Sequence, residues 1–289
     1  MDITPPSTAA APIFDRVGKL SLEHVYNRPD PRDYFSTLHK LGYCVPEVAK
    51  PVFKSLLEAK RDANGETAAK IIDVGCSYGV NSALLKHDLS LDDLYRLYGG
   101  VSGDGKALLE RDRALFARSA DDTLTVVGVD AAERAVAYAV GAGVMDGGVS
   151  TNLERHEPTS ADVRAVEDAD MIISTGCVGY VTKTSLEHLA EAGRDKGAWM
   201  ANFVLRMFDY EPVEEMLAER GYVTEKLAGA LFPQRRFVSA EEQENVFDAL
   251  GRRGLSPEEA ERDGWYLAEL HVSRPAGQAT APLEAILSS

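Results

Sequence analysis

The feature that most constrains this chain is an alternation, from residue 69 onward, of short β-rich apolar runs with amphipathic stretches. Such an alternation is typical of a parallel sheet whose strands are joined by crossover helices. The predicted strands are 70–74, 125–129, 148–151, 171–174, 199–205, 223–227 and 265–273, with helices beginning near Val80, Ala131, Thr184 and Pro212. The sequence therefore predicts an α/β fold with a seven-stranded sheet. Because the last two strands come late and lie on either side of a polar, helical stretch, we expect them to form an antiparallel edge.

The chain of 289 residues is short enough for one elaborated domain with terminal extensions. Residues 1–15 are polar and rich in Pro and Ala, which predicts a flexible N-terminus. Residues 16–66 contain helical pieces and no credible strand, so we expect a helical lid or cap. The strands fall within 67–275, with helical inserts at 89–119 and 232–263, and a loose C-terminal tail is expected over 276–289.

Charge and cysteine content narrow the class of partner. The 31 Lys and Arg residues against 46 Asp and Glu give a formal charge of -15, which disfavours nucleic acid and anionic membranes as partners. Cys44, Cys76 and Cys177 include no C-x-x-C pair, and the histidines lack metal-ligand spacing, so no metal is expected. The N-terminus lacks the pattern of a signal peptide, and no run approaches the roughly 20 apolar residues of a membrane helix. We expect a cytoplasmic protein that acts on a small molecule.

The stretch Gly75-Cys76-Ser77-Tyr78-Gly79 can be interpreted in two ways. As G-x-S-x-G it would be the nucleophile elbow of a serine hydrolase, with Ser77 attacking the substrate. A triad would then use Asp170 or Asp209 as the acid and His271 as the base. This elbow normally follows several strands and has a glycine-rich oxyanion loop upstream, whereas Ser77 follows the first predicted strand. The hydrolase is kept as an alternative.

The second interpretation is a loop that holds a nucleotide-like cofactor, and it requires an acid at the end of the next strand to bind a ribose. Asp130 meets that requirement, and the helical insert explains its long separation from Asp73. The dinucleotide pattern G-x-G-x-x-G fails, because positions 77 and 80 are Ser and Val. An acid at position 73 would repel a pyrophosphate and attract an ammonium group. The expected cofactor therefore carries ribose, adenine and an amino group without a phosphate.

This region resembles the first motif of the class I S-adenosylmethionine-dependent methyltransferases, with Ser77 in place of the middle glycine. The resemblance covers about residues 70–273 and implies a Rossmann-like seven-stranded sheet, mostly parallel with an antiparallel last strand and helices on both faces. It also implies S-adenosyl-L-methionine as the cofactor and S-adenosyl-L-homocysteine as the product. The implied cofactor-binding residues are Asp73, Gly75, Cys76, Ser77, Gly79, Asp130, Ala131, Asn152, Leu153 and Thr175. The stretch 26–35 resembles the N-terminal lid of a bacterial small-molecule subgroup, or it could merely cover one face of the sheet.

Methyl transfer requires mainly that the acceptor be positioned and water excluded, so the sequence marks no catalytic residue. The candidates for substrate binding are Tyr34, Tyr78, Tyr180, Arg206, Arg235 and Arg236. The arginines favour an oxygen acceptor such as a carboxylate, which needs no base. A hydroxyl or amine acceptor would need one, and His156 and His188 are the histidines considered for that role. A non-catalytic cofactor-binding protein and a homodimer formed through apolar residues near 94–98 are further alternatives.

Overall fold

A computed structural model of the chain describes residues 15, 18–20 and 22–288, with only the backbone for residues 23 and 24. The segment 1–14 of the expected flexible N-terminus lies outside the described residues. Eight strands form one sheet within the described part. They are β1 (Ala69–Val74), β2 (Leu124–Val129), β3 (Gly147–Val149), β4 (Met171–Thr175), β5 (Trp199–Leu205), β6 (Tyr222–Lys226), β7 (Phe232–Arg236) and β8 (Trp265–Pro275).

The strand order is β3-β2-β1-β4-β5-β8-β6, with β7 also paired to β8. The first five strands of this order are parallel, and β8 runs antiparallel to β5. Strands β6 and β7 pair in turn with the other edge of the long strand β8. The α/β fold with a mostly parallel Rossmann-like sheet and a reversed last strand is therefore confirmed. The parallel strands are rich in buried apolar residues because helices cover both faces of the sheet.

An additional strand, β7, lies where the sequence predicted the start of a helical insert. Its sequence, Phe-Pro-Gln-Arg-Arg, has low strand propensity. Proline is tolerated because β7 is an edge strand. The guanidinium carbon of Arg235 lies 4.6 Å from the ring centroid of Tyr266, and that of Arg236 lies 4.2 Å from the ring of Trp265. These cross-strand cation–π contacts stabilise a strand whose residues do not favour one.

Thirteen helices accompany the sheet within the described residues. They are α1 (Glu23–Tyr26), α2 (Arg32–Lys40), α3 (Val45–Asn64), α4 (Val80–Lys86), α5 (Leu91–Tyr98), α6 (Gly105–Phe116), α7 (Glu133–Ala142), α8 (Ser160–Val166), α9 (Lys183–Ala192), α10 (Glu211–Ala218), α11 (Ala240–Arg252), α12 (Glu259–Arg262) and α13 (Leu283–Leu287). One face of the sheet buries Phe53 of α3 against Phe203 of β5, with ring centroids 5.4 Å apart. The opposite face packs against α9 and α10.

The N-terminal helices divide into two parts with different positions. The long helix α3 packs on a face of the sheet and belongs to its core, so it is a cap and not a lid. Helices α1 and α2 instead pack against α4 to α7, and their residues Tyr26, Tyr34 and Leu38 lie near the carboxyl ends of the strands. In that layer the ring of Phe35 stacks on Tyr98 at 4.8 Å, and the ring of His39 stacks on Tyr95 at 4.5 Å. The apolar residues considered for a homodimer interface are thus buried mainly against the lid.

The end of the chain is more ordered than the expected loose tail. Helix α13 packs on α3, with Leu283 fully buried and Ile286 nearly so. No helix in the described part of the chain is long and apolar enough to cross a membrane.

Candidate functional site

A cavity of about 450 Å³ lies between the carboxyl ends of the strands and the lid. In parallel α/β sheets this is the edge at which ligands bind. The strand ends contribute Val74, Gly75, Val129, Asp130, Ala131, Thr151, Asn152, Leu153, Glu154, Thr175, Gly176 and Cys177. The rest of the wall consists of Asp15, Lys19, Leu20, Leu22, Tyr26, Tyr34, Leu38, Tyr43, Tyr180, Val181, Ser185, Gln234 and Arg235. A depression of similar size near Glu191 and Arg220 lies among solvated ion pairs away from the strand ends.

The loop between β1 and α4 is held by its own backbone and by the neighbouring strand. The Gly75 N–H donates to the carbonyl of Val129, and the Gly79 N–H donates to the carbonyl of Cys76. Gly75 has φ 69°, and a Cβ atom there would lie 2.6 Å from Cys177 Cβ. Only glycine fits this position, because both its backbone conformation and its close contact exclude a side chain.

Ser77 fixes the loop to the second strand and does not contact the cavity. Its N–H donates to Asp130 Oδ2 at 2.8 Å, and its φ of 47° lies in the left-handed region that a serine adopts at a cost. Ser77 is only 2% exposed and does not line the cavity.

The same burial argues against the nucleophile elbow. A nucleophile must be exposed to substrate, and no histidine hydrogen-bonds to Ser77 among the described residues. The candidate acid Asp170 immediately precedes β4, at the opposite end of the sheet, where it pairs with Lys196. The residues of the proposed triad are therefore not brought together.

Asp130 lies at the end of β2 and faces the cavity. Its Oδ2 accepts from the Ser77 N–H and its Oδ1 from the Ala132 N–H at 2.9 Å. Because an ionised carboxylate has about four lone-pair sites, each oxygen can still accept from a ligand. Burial raises the pKa of Asp130, and the two backbone N–H groups oppose this effect. The two N–H groups also fix the direction of the carboxylate, which leaves a rigid acceptor for a diol.

Asp73 lies at the end of β1, directly beneath the wall of the cavity, and is fully buried. Its Oδ1 accepts from Asn81 Nδ2 at 2.8 Å, and the same amide donates to Thr175 Oγ1 at 3.2 Å. Its Oδ2 has no hydrogen-bond partner among the described residues. Burial raises the pKa of Asp73 to about 7, with Asn81 opposing and the charge of Asp130 adding to the shift. A buried acceptor without a partner favours a nearby donor or positive charge.

The other predicted cofactor-binding residues divide into those that line the cavity and those that support it. Ala131, Asn152, Leu153 and Thr175 line it. Cys76 does not, because its sulfur packs over Gly128, where a Cβ atom would lie 2.5 Å away. Gly79 also lies outside the wall and begins α4 with φ 76°.

Three of the six candidates for substrate binding line the cavity, namely Tyr34, Tyr180 and Arg235. Arg235 is not free, because its guanidinium forms two hydrogen bonds with the buried carboxylate of Glu242, at 2.7 and 2.9 Å. The Tyr180 hydroxyl donates to Asp15. Tyr34 packs on the ring of Tyr78, with centroids 5.3 Å apart.

The other three candidates lie elsewhere. Arg206 is buried immediately after β5 in an ion pair with Glu261. This ion pair accounts for the buried arginine, so its presence does not require a bound ligand. Arg236 points away from the cavity, since the edge-strand pleat alternates its direction with that of Arg235; it donates to the Asp263 carbonyl at 2.7 Å. Tyr78 is buried beneath the lid, where its hydroxyl bonds to the backbone of residue 28 at 2.9 Å.

Sequence reasoning missed several polar residues of the cavity wall, among them Lys19 and Tyr43. Lys19 is 7% exposed, and burial followed by the charge of Arg235 lowers its pKa to about 7. Burial raises the pKa of Tyr43 well above its ordinary value. A lysine that precedes the first described helix gives no signal in the sequence, because only contacts with distant strands bury it. The histidines considered as bases, His156 and His188, do not line the cavity.

Comparison with known proteins gave only distant structural similarities. No protein-family model matches the chain, and no curated protein matches it. A solved cyclopropane-fatty-acyl-phospholipid synthase-like protein from Lactobacillus casei is 11% identical, covering 78% of this chain and 90% of its own, with a TM-score of 0.41. The plantazolicin methyltransferase BpumL is 12% identical, covering 85% and 91%, with a TM-score of 0.42. Magnesium protoporphyrin IX methyltransferase from Synechocystis, solved with SAM, is 13% identical, covering 77% of each chain, with a TM-score of 0.37. Similarity at this level carries no conclusion about this chain.

Proposed function

We propose that this protein is an S-adenosylmethionine-dependent methyltransferase that methylates a small molecule at oxygen. The observation that carries the proposal is the pair of carboxylates at the ends of the neighbouring strands β1 and β2, with a glycine loop between them and one cavity above. Asp130 would bind the two hydroxyls of a ribose, and Asp73 would attract an ammonium group. A cofactor with both groups and no phosphate fits this arrangement.

A dinucleotide fits it less well, because the loop offers few donors to a phosphate. In phosphate-binding loops the N–H groups before the helix point at the ligand. Here the N–H groups of Gly75, Ser77 and Gly79 already donate to Val129, Asp130 and Cys76. Two carboxylates close to the loop would also repel a pyrophosphate.

The chain's own residues would hold the cofactor along the cavity in a fixed direction. Asn152 and Leu153 follow β3 and would flank the adenine, while Gly75 and Thr175 would lie beside the methionine part. When bound, S-adenosylmethionine supplies a methyl group that is already activated by a sulfonium. The protein then has to position the acceptor and exclude water, and the tyrosine-rich lid over the cavity suits that task.

Calorimetric titration with S-adenosylhomocysteine, with NAD as the control ligand, tests this function. We expect S-adenosylhomocysteine to bind with micromolar affinity and NAD not to bind. Incubation of the protein with S-adenosylmethionine and a panel of small phenols, alcohols and acids then separates an enzyme from a non-catalytic binding protein. Failure of S-adenosylhomocysteine to bind would refute the proposal.

The buried Asp73 predicts that cofactor binding is coupled to a proton. The pKa of Asp73 is raised to about 7 in the free protein, so this carboxyl holds its proton at pH 6. A bound ammonium group favours the ionised form and lowers this pKa, so binding at pH 6 should release about one proton. Affinity for S-adenosylhomocysteine should therefore rise as the pH increases from about 6 to 8. Titration in buffers of different ionisation enthalpy measures the proton release.

The control for this prediction is Asp73→Asn, which keeps the size and the contact with Asn81 but cannot titrate. It should bind more weakly at pH 8 and release no proton at pH 6. Proton release that persists in this variant would show that another group, such as Asp130, is responsible. In the free protein the raised pKa also predicts that Asp73 lowers the free energy of unfolding as the pH rises from about 4 to 7, because the folded state holds the proton longer than the unfolded state.

A further inference from the structure

The cavity has two chemically different ends, and this division follows from the strand order. Asp130 and Asn152 belong to the β2 and β3 side, where the proposed cofactor would place its ribose and adenine. The opposite side is formed by Tyr180, which follows β4, and by Arg235 of β7. Because Gly75 and Thr175 lie between these two sides, the acceptor must occupy the end near Tyr180 and Arg235.

Lys19 lies at that acceptor end. Its Nζ is 5.2 Å from the ring centroid of Tyr180 and 5.4 Å from that of Tyr266. Lys19 lines the cavity, and its Nζ forms no salt bridge or hydrogen bond with any residue that the structure describes. A buried amine without a carboxylate partner is rare, since lysines are seldom buried unless they are paired.

The groups around Lys19 determine whether its amine is protonated. The charged and titratable groups that face it are Arg235, Glu242, Asp15, Cys177, Tyr180 and Tyr266. Glu242 is already neutralised by Arg235, and it accepts two backbone N–H groups as well. The Arg235 guanidinium also lies over the Tyr266 ring, so a second positive group is close to the lysine. Burial, followed by the charge of Arg235, favours the neutral amine, and the pKa of Lys19 falls to about 7.

We propose that Lys19 is the general base of the transfer, and that the acceptor is therefore a small molecule with a free hydroxyl group and not a carboxylate. The inference rests on the proposed function and makes its acceptor more specific. The O–H bond of the acceptor would break and its proton would add to the lone pair of Nζ. The oxygen would take the methyl group, while the electrons of the broken S–C bond would stay on sulfur and S-adenosylhomocysteine would leave. The resulting ammonium returns its proton to solvent. A carboxylate needs no base, and the arginine at this end of the cavity is already paired.

The first test measures the protonation of Lys19 without any acceptor. The protein is prepared with ¹³C,¹⁵N-labelled lysine, and the side-chain resonances are followed against pH by NMR in the presence of S-adenosylhomocysteine. Lys19→Met identifies the resonance by its loss. We expect this one lysine to titrate near pH 7, well below the value of about 10.4 that is usual for a lysine in water. Titration of Lys19 above about pH 9 would overturn the proposal, because its amine would then be protonated at working pH.

The second test compares Lys19→Arg and Lys19→Met, with Lys106→Arg as the matched surface control. Arginine keeps the positive charge but cannot act as a base, so a role in binding an anion would survive Lys19→Arg. With phenols and alcohols as acceptors, we expect both Lys19 variants to lose about 100-fold or more in kcat. The wild-type rate should rise with pH through about 7, and the Lys19 variants should lose this rise. Turnover of carboxylates alone, with full activity in Lys19→Arg, would overturn the proposal.

Binding of S-adenosylhomocysteine separates this inference from the function on which it rests. Lys19 lies away from the ribose end, so its variants should bind this ligand with unchanged affinity. Normal binding with a high Lys19 pKa refutes only the base. Loss of binding in the wild-type protein refutes the methyltransferase itself. Lys19→Met should fold, because it replaces a buried amine by an apolar group of similar length.

Discussion

Replacing Asp130 by alanine is expected to weaken binding of S-adenosylhomocysteine by about 100- to 10,000-fold. Hydrogen bonds to a charged group contribute roughly 1.5–3 kcal/mol each, and a ribose would donate two to this carboxylate. The substitution also leaves the N–H groups of Ser77 and Ala132 without an acceptor, so the loop should become less ordered. Calorimetry with S-adenosylhomocysteine measures the loss of affinity.

Asp130→Asn is the control that distinguishes a ribose contact from a structural role. An asparagine oxygen can still accept from one backbone N–H, so the loop should be largely kept while the charge is lost. The affinity of this variant should lie between those of the wild type and of Asp130→Ala. Adenine alone should bind all three proteins equally, because it lacks the ribose. An Asp130→Ala variant that folds and binds S-adenosylhomocysteine normally would contradict the assignment of this residue.

The largest effect on stability is expected from Glu242, whose side chain is fully buried. Replacing it by alanine leaves the guanidinium of Arg235 buried without a counter-ion, which typically costs about 3–5 kcal/mol. It also removes the acceptor of the Leu20 and Val238 N–H groups, at 2.6 and 2.9 Å. The free energy of unfolding should fall by at least this amount, and chemical denaturation with urea measures it.

Two further variants test this explanation. Glu244 lies on the exposed side of the same helix. Replacing it by alanine should therefore change the free energy of unfolding by less than about 0.5 kcal/mol. The double variant Arg235→Met/Glu242→Leu replaces the buried pair by apolar groups and should recover much of the lost stability. If Glu242→Ala alone has no effect, the buried ion pair does not support the lid.

The sheet is predictable from the sequence because buried parallel strands read as apolar runs with little ambiguity. The ends of β1 and β2 follow from the same runs, so the sequence alone places Asp73 and Asp130 at one edge. Their chemistry can be inferred because the carboxyl ends of parallel strands meet at one edge of a sheet. The glycines of the loop can be understood because the backbone there adopts the left-handed conformation, which favours glycine.

The acceptor end could not be predicted, because it depends on contacts between distant parts of the chain. Strand β7 has poor strand propensity and forms through stacking of its arginines on β8. Nothing local in the sequence distinguishes Arg235, which reaches the cavity, from Arg206, which pairs with Glu261 in the interior. Lys19 gains its unusual environment from residues more than 150 positions away.

The hydrogen bond from Leu20 to Glu242 joins residues that are 222 positions apart in the chain. A ribosome synthesising this protein releases the lid first and the strand that completes the cavity last. The β1 and β2 ends can assemble early in synthesis, but the acceptor end cannot exist until β8, the strand with which β7 pairs, has left the exit tunnel. A nascent chain could thus bind cofactor before it is able to select an acceptor, and the order of synthesis itself delays the appearance of activity.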